Sequence, residues 1–164
     1  MVLSINDIQA KILMVWFPHV TVAAVIKVDD KFLMVKEKNE NGEAVYNQPA
    51  GHVEENESLI DAMIREVLEE TRWQVKPLAV LSFKMYKSPA NNITYLRTNF
   101  IAEAILHNEN LLLDDDIDEV CWLSAEEIKT KNLRSPLVWQ AIEEYESGIR
   151  YPLEILDNSK QLKK

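Results

Sequence analysis

The sequence predicts an α/β fold in which helices cover a mixed β-sheet, and three observations carry the prediction. Segments rich in β-branched residues recur along the chain with helical segments between them. One stretch, Ser58–Thr71, has clear helical periodicity. The 164 residues, 19.0 kDa, supply one domain's worth of chain and no second core.

Taken in order, Ser4–Phe17 reads as a short helix or a lead-in, with Ile5, Ile8, Ile12 and Leu13 at helical spacing. His19–Val28 is a strand by its β-branched content, Asp29-Asp30 a turn, and Phe32–Lys36 a second strand. Asn39–Gly42 has turn chemistry, and Gln48–Gly51 is a further break. Ser58 opens the helix, with Asp61 at the third position where Glu or Gln is usual in a capping box. Val75–Tyr86 and Thr94–Leu106 are strands joined through Ser88–Asn92. Asp114–Asp118 is an acidic loop and Glu119–Leu123 a short strand. Ser124–Glu127 opens a short helix, and Pro136–Tyr145 is a last helix stopped near Gly148. The expected division is an extension over residues 1–16, a domain over 17–156 and a C-terminal tail over 157–164, with Lys160–Lys164 expected to be disordered.

Composition narrows the function. Hydrophobic residues at 47% and charged residues at 27% describe a globular chain. Eighteen Lys and Arg against 27 Asp and Glu leave a net charge of −9, which argues against nucleic acid and anionic membrane as partners. It leaves room for a small-molecule site where carboxylates hold cations. The single cysteine, Cys121, excludes an internal disulfide and a Cys-rich zinc site, and reads as a core residue in a reducing compartment. With no apolar stretch of spanning length and no signal-peptide pattern, the expected location is cytoplasmic.

The chemistry concentrates on Ser58–Thr71. At 100° per residue, Ile60, Ile64, Val67 and Leu68 form one arc, expected to face the core. Glu66, Glu69 and Glu70 fall opposite, at spacings that let their carboxylates converge. A solvated face is the plain reading of such a pattern. Against it, Leu59, Ala62 and Met63 share the glutamate arc, and three like charges in one turn repel unless a cation relieves them. An all-oxygen set selects a hard ion, magnesium best with manganese as substitute, of the kind that binds together with substrate phosphates. Gly51 lets a backbone carbonyl approach such an ion and tolerates a positive φ.

The full pattern is Gly51, five residues, Glu57, seven residues, Arg65-Glu66-Val67, one residue, Glu69-Glu70. This resembles the Nudix box of the Nudix hydrolases, with a chance match on the order of 10⁻⁵ for this composition. Arg72 stands where the family pattern closes with Gly. Phe17–Ala23, Asn47–His52, Ser124–Ile128, Asn132–Val138 and Ser147–Glu154 resemble the NudJ-type phosphatase branch, so the likeness covers nearly the whole chain. The resemblance implies a Nudix-like α/β/α sandwich. It also implies an enzyme that releases orthophosphate from nucleoside tri- and diphosphates and acts on a thiamine-precursor pyrophosphate. It implies that Glu66, Glu69 and Glu70 ligate magnesium, that the Ala50 carbonyl adds a ligand, and that Glu57 pairs with Arg65. The general base stays open between a box glutamate and an acid of Asp114–Glu119. Two alternatives remain: a non-catalytic nucleotide-sensing module, and a pyrophosphohydrolase releasing pyrophosphate.

Outside the box, Arg97 and Arg134 are candidates to grip a phosphate or a base, because a planar guanidinium suits both. Arg97 lies on a predicted strand, where an inward Arg needs a partner; Arg134 could equally be a surface residue. His52 is a phosphate contact or a structural hydrogen bond, and His19 a strand residue. Trp16, Phe17 and Tyr46 could stack on a base, of which Tyr46 is kept as a substrate-binding candidate. The state of assembly is expected to be a monomer or a homodimer.

Overall fold

The computed structural model describes residues 16–156. Its strands are β1 (His19–Val28), β2 (Lys31–Lys38), β3 (Ala44–Asn47), β4 (Ala50–His52), β5 (Trp73–Lys87), β6 (Thr94–His107) and β7 (Ile117–Ser124). The helices are α1 (Leu59–Thr71), α2 (Ala125–Lys129) and α3 (Pro136–Glu146), followed by a 3₁₀ turn at Leu153–Ile155. The sheet runs β3-β2-β1-β6-β5, with β4 added to β1 and β7 to β2. Among the strand pairs of the described residues, β1 and β6 pair in parallel and the others are antiparallel, so the sheet is mixed as expected.

β1 explains the architecture. Its Val22–Ile26 run is buried at every position, because helices cover both faces of the sheet there. Val22, Ala24 and Ile26 face one cluster with Ala62, Met63 and Val67 of α1. Val25 faces the other, with Val138, Ala141 and Ile142 of α3. The β1–β2 connection is the expected turn, in which Asp29 takes a left-handed φ of 51°.

Two expectations give way. Ala44–Asn47 forms a strand that the sequence did not announce, being four residues long between a polar turn and Pro49. Gln48–Gly51, read as a break, continues into β4, which pairs with Thr21–Ala23. The remaining boundaries move by a residue or two. Of the lead-in expected over Ser4–Phe17, only Trp16 and Phe17 are described, outside any helix or strand; its remainder and the tail at Lys160–Lys164 lie outside the described residues.

The core arc of α1 is rotated from its expected position. The fully buried side is Ala62, Met63, Val67, Glu70 and Thr71, while Ile60, Ile64 and Leu68 are half-buried. Small and flexible side chains let α1 approach β1 and β4 closely, and the approach carries Glu70 inward with them.

Candidate active site

The break before α1 and the glutamate face of α1 meet at Ala50-Gly51. Glu70, 9% exposed, accepts a hydrogen bond from the Ala50 N–H to Oε2 at 2.9 Å. A Cβ on Gly51 would overlap the Glu66 carboxylate. Gly51 is therefore required by close approach and not by backbone conformation, since its φ is not positive.

Arg65 gathers the other acids. Its Nε and Nη2 donate to the two Glu57 oxygens at 2.8 and 2.9 Å, a bidentate pair, and Nη2 also donates to the His52 carbonyl at 2.9 Å. Nη1 donates to Glu66 at 2.7 Å and to Glu69 at 3.1 Å. This hydrogen bonding to Arg65 holds the Glu57 carboxyl below its ordinary range. Burial pushes Glu66 above the ordinary range despite Arg65, and pushes Glu70 well above it. Glu66 and Glu69 thus turn to Arg65 while Glu70 turns to Ala50. Among the described residues no three His, Cys, Asp or Glu side chains stand as a ready-made metal cluster. The donor chemistry nonetheless fits a hard cation. Two crowded carboxylates that burial disfavours as anions, next to an exposed third and a glycine cradle, are what a magnesium ion would relieve.

A cleft of about 330 Å³ opens at Ala50-Gly51, and the α1 glutamates and Arg65 are not among its lining residues. Ala50, Gly51, His52 and Thr21 line its base. One wall is the β2–β3 turn with the N-terminus of α3, and the other is the β5–β6 turn. Arg97 lines it while being only 7% exposed. Its Nε donates to Asn99 at 3.0 Å, and its Nη groups donate to Asn47 and to Gln48, the latter at 3.0 Å. All these acceptors are neutral amides. Burial lowers its pKa to about 10, against the pull of Glu70 and Glu37, and it stays cationic at neutral pH. Arg134 also lines the cleft, paired with Glu37 at 3.2 Å and Glu40 at 3.4 Å.

Tyr46 lies apart from this cleft. Its ring packs on the α3-side core and sits under the Lys131 ammonium at 5.3 Å. Trp16 and Phe17 are exposed at the start of the described chain and do not line the cleft either. His52 does line it, 3.3 Å from the His19 ring nitrogen; partial burial and His19 hold its imidazole below the ordinary value. The acidic loop reaches the end of α1, where the Asp114 N–H donates to the Glu69 carbonyl at 3.0 Å. Burial pushes the Cys121 thiol up to about 11, in keeping with a packing residue.

Sequence reasoning missed Glu37 and Asn47. Glu37 is half-buried, accepts from Asn47 at 3.2 Å and is pushed up by its burial. A carboxylate at the end of a short strand carries no signal of which face it will turn to.

Residues 17–143 match the family model described as the NUDIX domain. Phosphatase NudJ of Shigella boydii is 45% identical over 140 residues, spanning 85% of this chain and 90% of that protein. Phosphatase NudJ of Escherichia coli K12 is 44% identical over the same shares. A solved NUDIX hydrolase from Nitrosomonas europaea superposes with a TM-score of 0.84 at 43% identity, covering 86% of this chain and 97% of that one. Among the described residues no helix is long and apolar enough to cross a membrane.

Proposed function

The chain belongs to the Nudix hydrolase family, and from that membership we propose that it is a magnesium-dependent phosphohydrolase releasing orthophosphate from nucleoside tri- and diphosphates, with a thiamine-precursor pyrophosphate as a further substrate. The observation that carries this reading is the juxtaposition of the α1 glutamates, behind Ala50-Gly51, with a buried Arg97 that donates only to neutral amides and has Glu70 and Glu37 as its nearby anions. A cation held that way favours an anionic ligand in the cleft.

Glu66, Glu69 and Glu70, with the Ala50 carbonyl, are the residues we assign to magnesium; manganese is the natural substitute. The bound ion would supply a water of lowered pKa and neutralise charge growing on phosphate oxygens. The chain's own residues do the rest. Glu57 holds Arg65, and Arg65 holds the His52 carbonyl, so the loop carrying Ala50 stays against α1. Arg97 and Arg134 anchor phosphate oxygens from the cleft side. Glu69, the most exposed of the three glutamates, is the one bulk water reaches most freely, and we assign it as proton acceptor ahead of an acid of Asp114–Glu119. Terminal attack follows if the substrate is anchored through its inner phosphates and organic group, leaving the last phosphorus over the glutamates. A lone cysteine and a phosphorylated small-molecule substrate support a cytoplasmic location.

The test is to incubate the protein with CTP, GTP and their diphosphates in magnesium, without added pyrophosphatase, and resolve the products by ion exchange. Orthophosphate is expected from all four. Pyrophosphate with monophosphate would move the chain to the pyrophosphohydrolase side of the family. Binding without turnover would favour the nucleotide-sensing module.

A further inference from the structure

The two walls of the cleft differ in chemistry. Its charged side chains, Glu37, Glu40, Arg97 and Arg134, come from the floor and from the wall formed by the β2–β3 turn and α3. The β5–β6 wall contributes none, and offers Tyr86, Tyr95, Asn91, Ser88 and Ala90. Tyr86 and Tyr95 are cross-strand partners, both half-buried. On β6, Tyr95 stands two residues before Arg97, so both sit on one face of the strand about 7 Å apart.

Resting on the reading of the cleft as a site for organic phosphates, we infer that the organic half of the substrate is a planar heteroaromatic ring seated against Tyr86 and Tyr95, with its phosphates running past Arg97 to the α1 glutamates. The opposite wall is unsuited, because a ring there would strip water from the Arg134 ion pairs with Glu37 and Glu40. The tyrosine wall is already set for the task. The Tyr95 hydroxyl accepts from the Asn91 side-chain amide at 2.9 Å, and its ring is held edge-on by His19 at 5.7 Å between centroids. Tyr86 is the freer ring face of the pair, with no aromatic or cation partner among the described residues.

On this wall the Asn91 side chain and the Ser88 oxygen are already partly engaged, and the remaining hydroxyls rotate to suit either a donor or an acceptor on a ring's edge. Asn91 Oδ1 accepts from the Ile93 N–H at 3.0 Å, its amide donates to Tyr95, and Ser88 Oγ accepts from the Ala90 N–H. Binding therefore rests on ring faces, which every base offers, and CTP and GTP should differ little.

The experiment compares kcat/KM for CTP with that for inorganic tripolyphosphate, which has no ring, in the wild type, Tyr86→Leu and Tyr86→Phe. The CTP-to-tripolyphosphate ratio should fall about tenfold in Tyr86→Leu, through KM, and stay within about twofold in Tyr86→Phe, which keeps the ring face. An unchanged ratio in Tyr86→Leu, or an equal fall in Tyr86→Phe, overturns the inference. Calorimetric titration of the same proteins with CMP needs no turnover, and should show the same tenfold loss of affinity confined to Tyr86→Leu. CMP that fails to bind the wild type, or binds all three alike, overturns it too. Absence of hydrolysis with both substrates would instead sink the phosphohydrolase reading, while the CMP titration still decides the ring site. Should Tyr86→Leu fold poorly, Tyr86→Thr, which suits a strand, serves in both arms with the same expected loss.

Discussion

Gly51 and Glu70 show how single positions tie the fold to the chemistry. A methyl group at Gly51 meets the flexible end of Glu66, so Gly51→Ala is expected to cost only about 1 kcal/mol of stability. The displaced carboxylate should still lower turnover about 100-fold, seen as a loss of kcat in a protein that melts within a few degrees of the wild type. Glu69→Gln and Glu70→Gln should each lower turnover by orders of magnitude, because a neutral amide is a poor magnesium ligand. Glu70→Gln carries a second signature. Burial raises the folded-state pKa of Glu70, so its contribution to stability is complete below the unfolded value near 4.5 and is lost as pH rises through the folded value. In chelator, melting curves from pH 4.5 to 8 should therefore show Glu70→Gln gaining on the wild type as pH rises. Added magnesium should restore the wild type and close the gap. A gap independent of pH would remove burial of this carboxylate as its cause.

At the scale of the element, α1 has one well-formed end and one strained end. Ser58 accepts from the Asp61 N–H at 3.1 Å, so the N-cap that the sequence suggested forms even without Glu or Gln at the third position. At the other end Arg72 takes φ 63°, and its N–H donates to the Leu68 carbonyl at 2.8 Å. This is the left-handed cap for which the family's Gly is suited. The Arg72 Nε is also the buried side-chain nitrogen left without a hydrogen-bond partner among the described residues. Arg72→Gly should accordingly stabilise by about 1 kcal/mol, read as a higher urea midpoint with unchanged slope. A lower midpoint would mean that packing of the Arg72 stem outweighs the strain. The helix itself was legible from its periodicity, but its rotation was not. Leu68 looked like core and Glu70 like surface on the wheel, and the order reversed because Ala62 and Met63 allowed closer packing against the sheet.

For the molecule as a whole, the site depends on strands far apart in sequence. β1 lies between β6 and β4, setting Thr21 beside both Arg97 and His52. A polar chain then crosses the sheet, from Glu144 through Ser82, Asn99 and Arg97 to Asn47, Glu37 and Arg134. Every residue proposed for the chemistry lies between Ala50 and Arg134, and the cleft lining runs from Thr21 to Leu137. Deleting Met1–Leu13 should therefore leave orthophosphate release within about twofold of the full chain, since no proposed group is removed. A larger loss, or dissociation of a dimer by sedimentation, would make that segment integral to the active form.

By itself the sequence determined the mixed α/β class, the helix bearing Glu66, Glu69 and Glu70, the Glu57–Arg65 partnership and the exclusion of a disulfide framework. Each of these is set by spacing or composition along a short stretch of chain, or by the match to the Nudix box. Tertiary structure alone decided that Glu70 is buried and that Gly51 is needed for room. It alone surrounded Arg97 with amides, left Tyr46 outside the cleft, and set Tyr86 beside Tyr95 on an uncharged wall. These depend on sheet register and on how closely α1 packs, which arise from contacts between separate elements and leave no periodic trace in the chain.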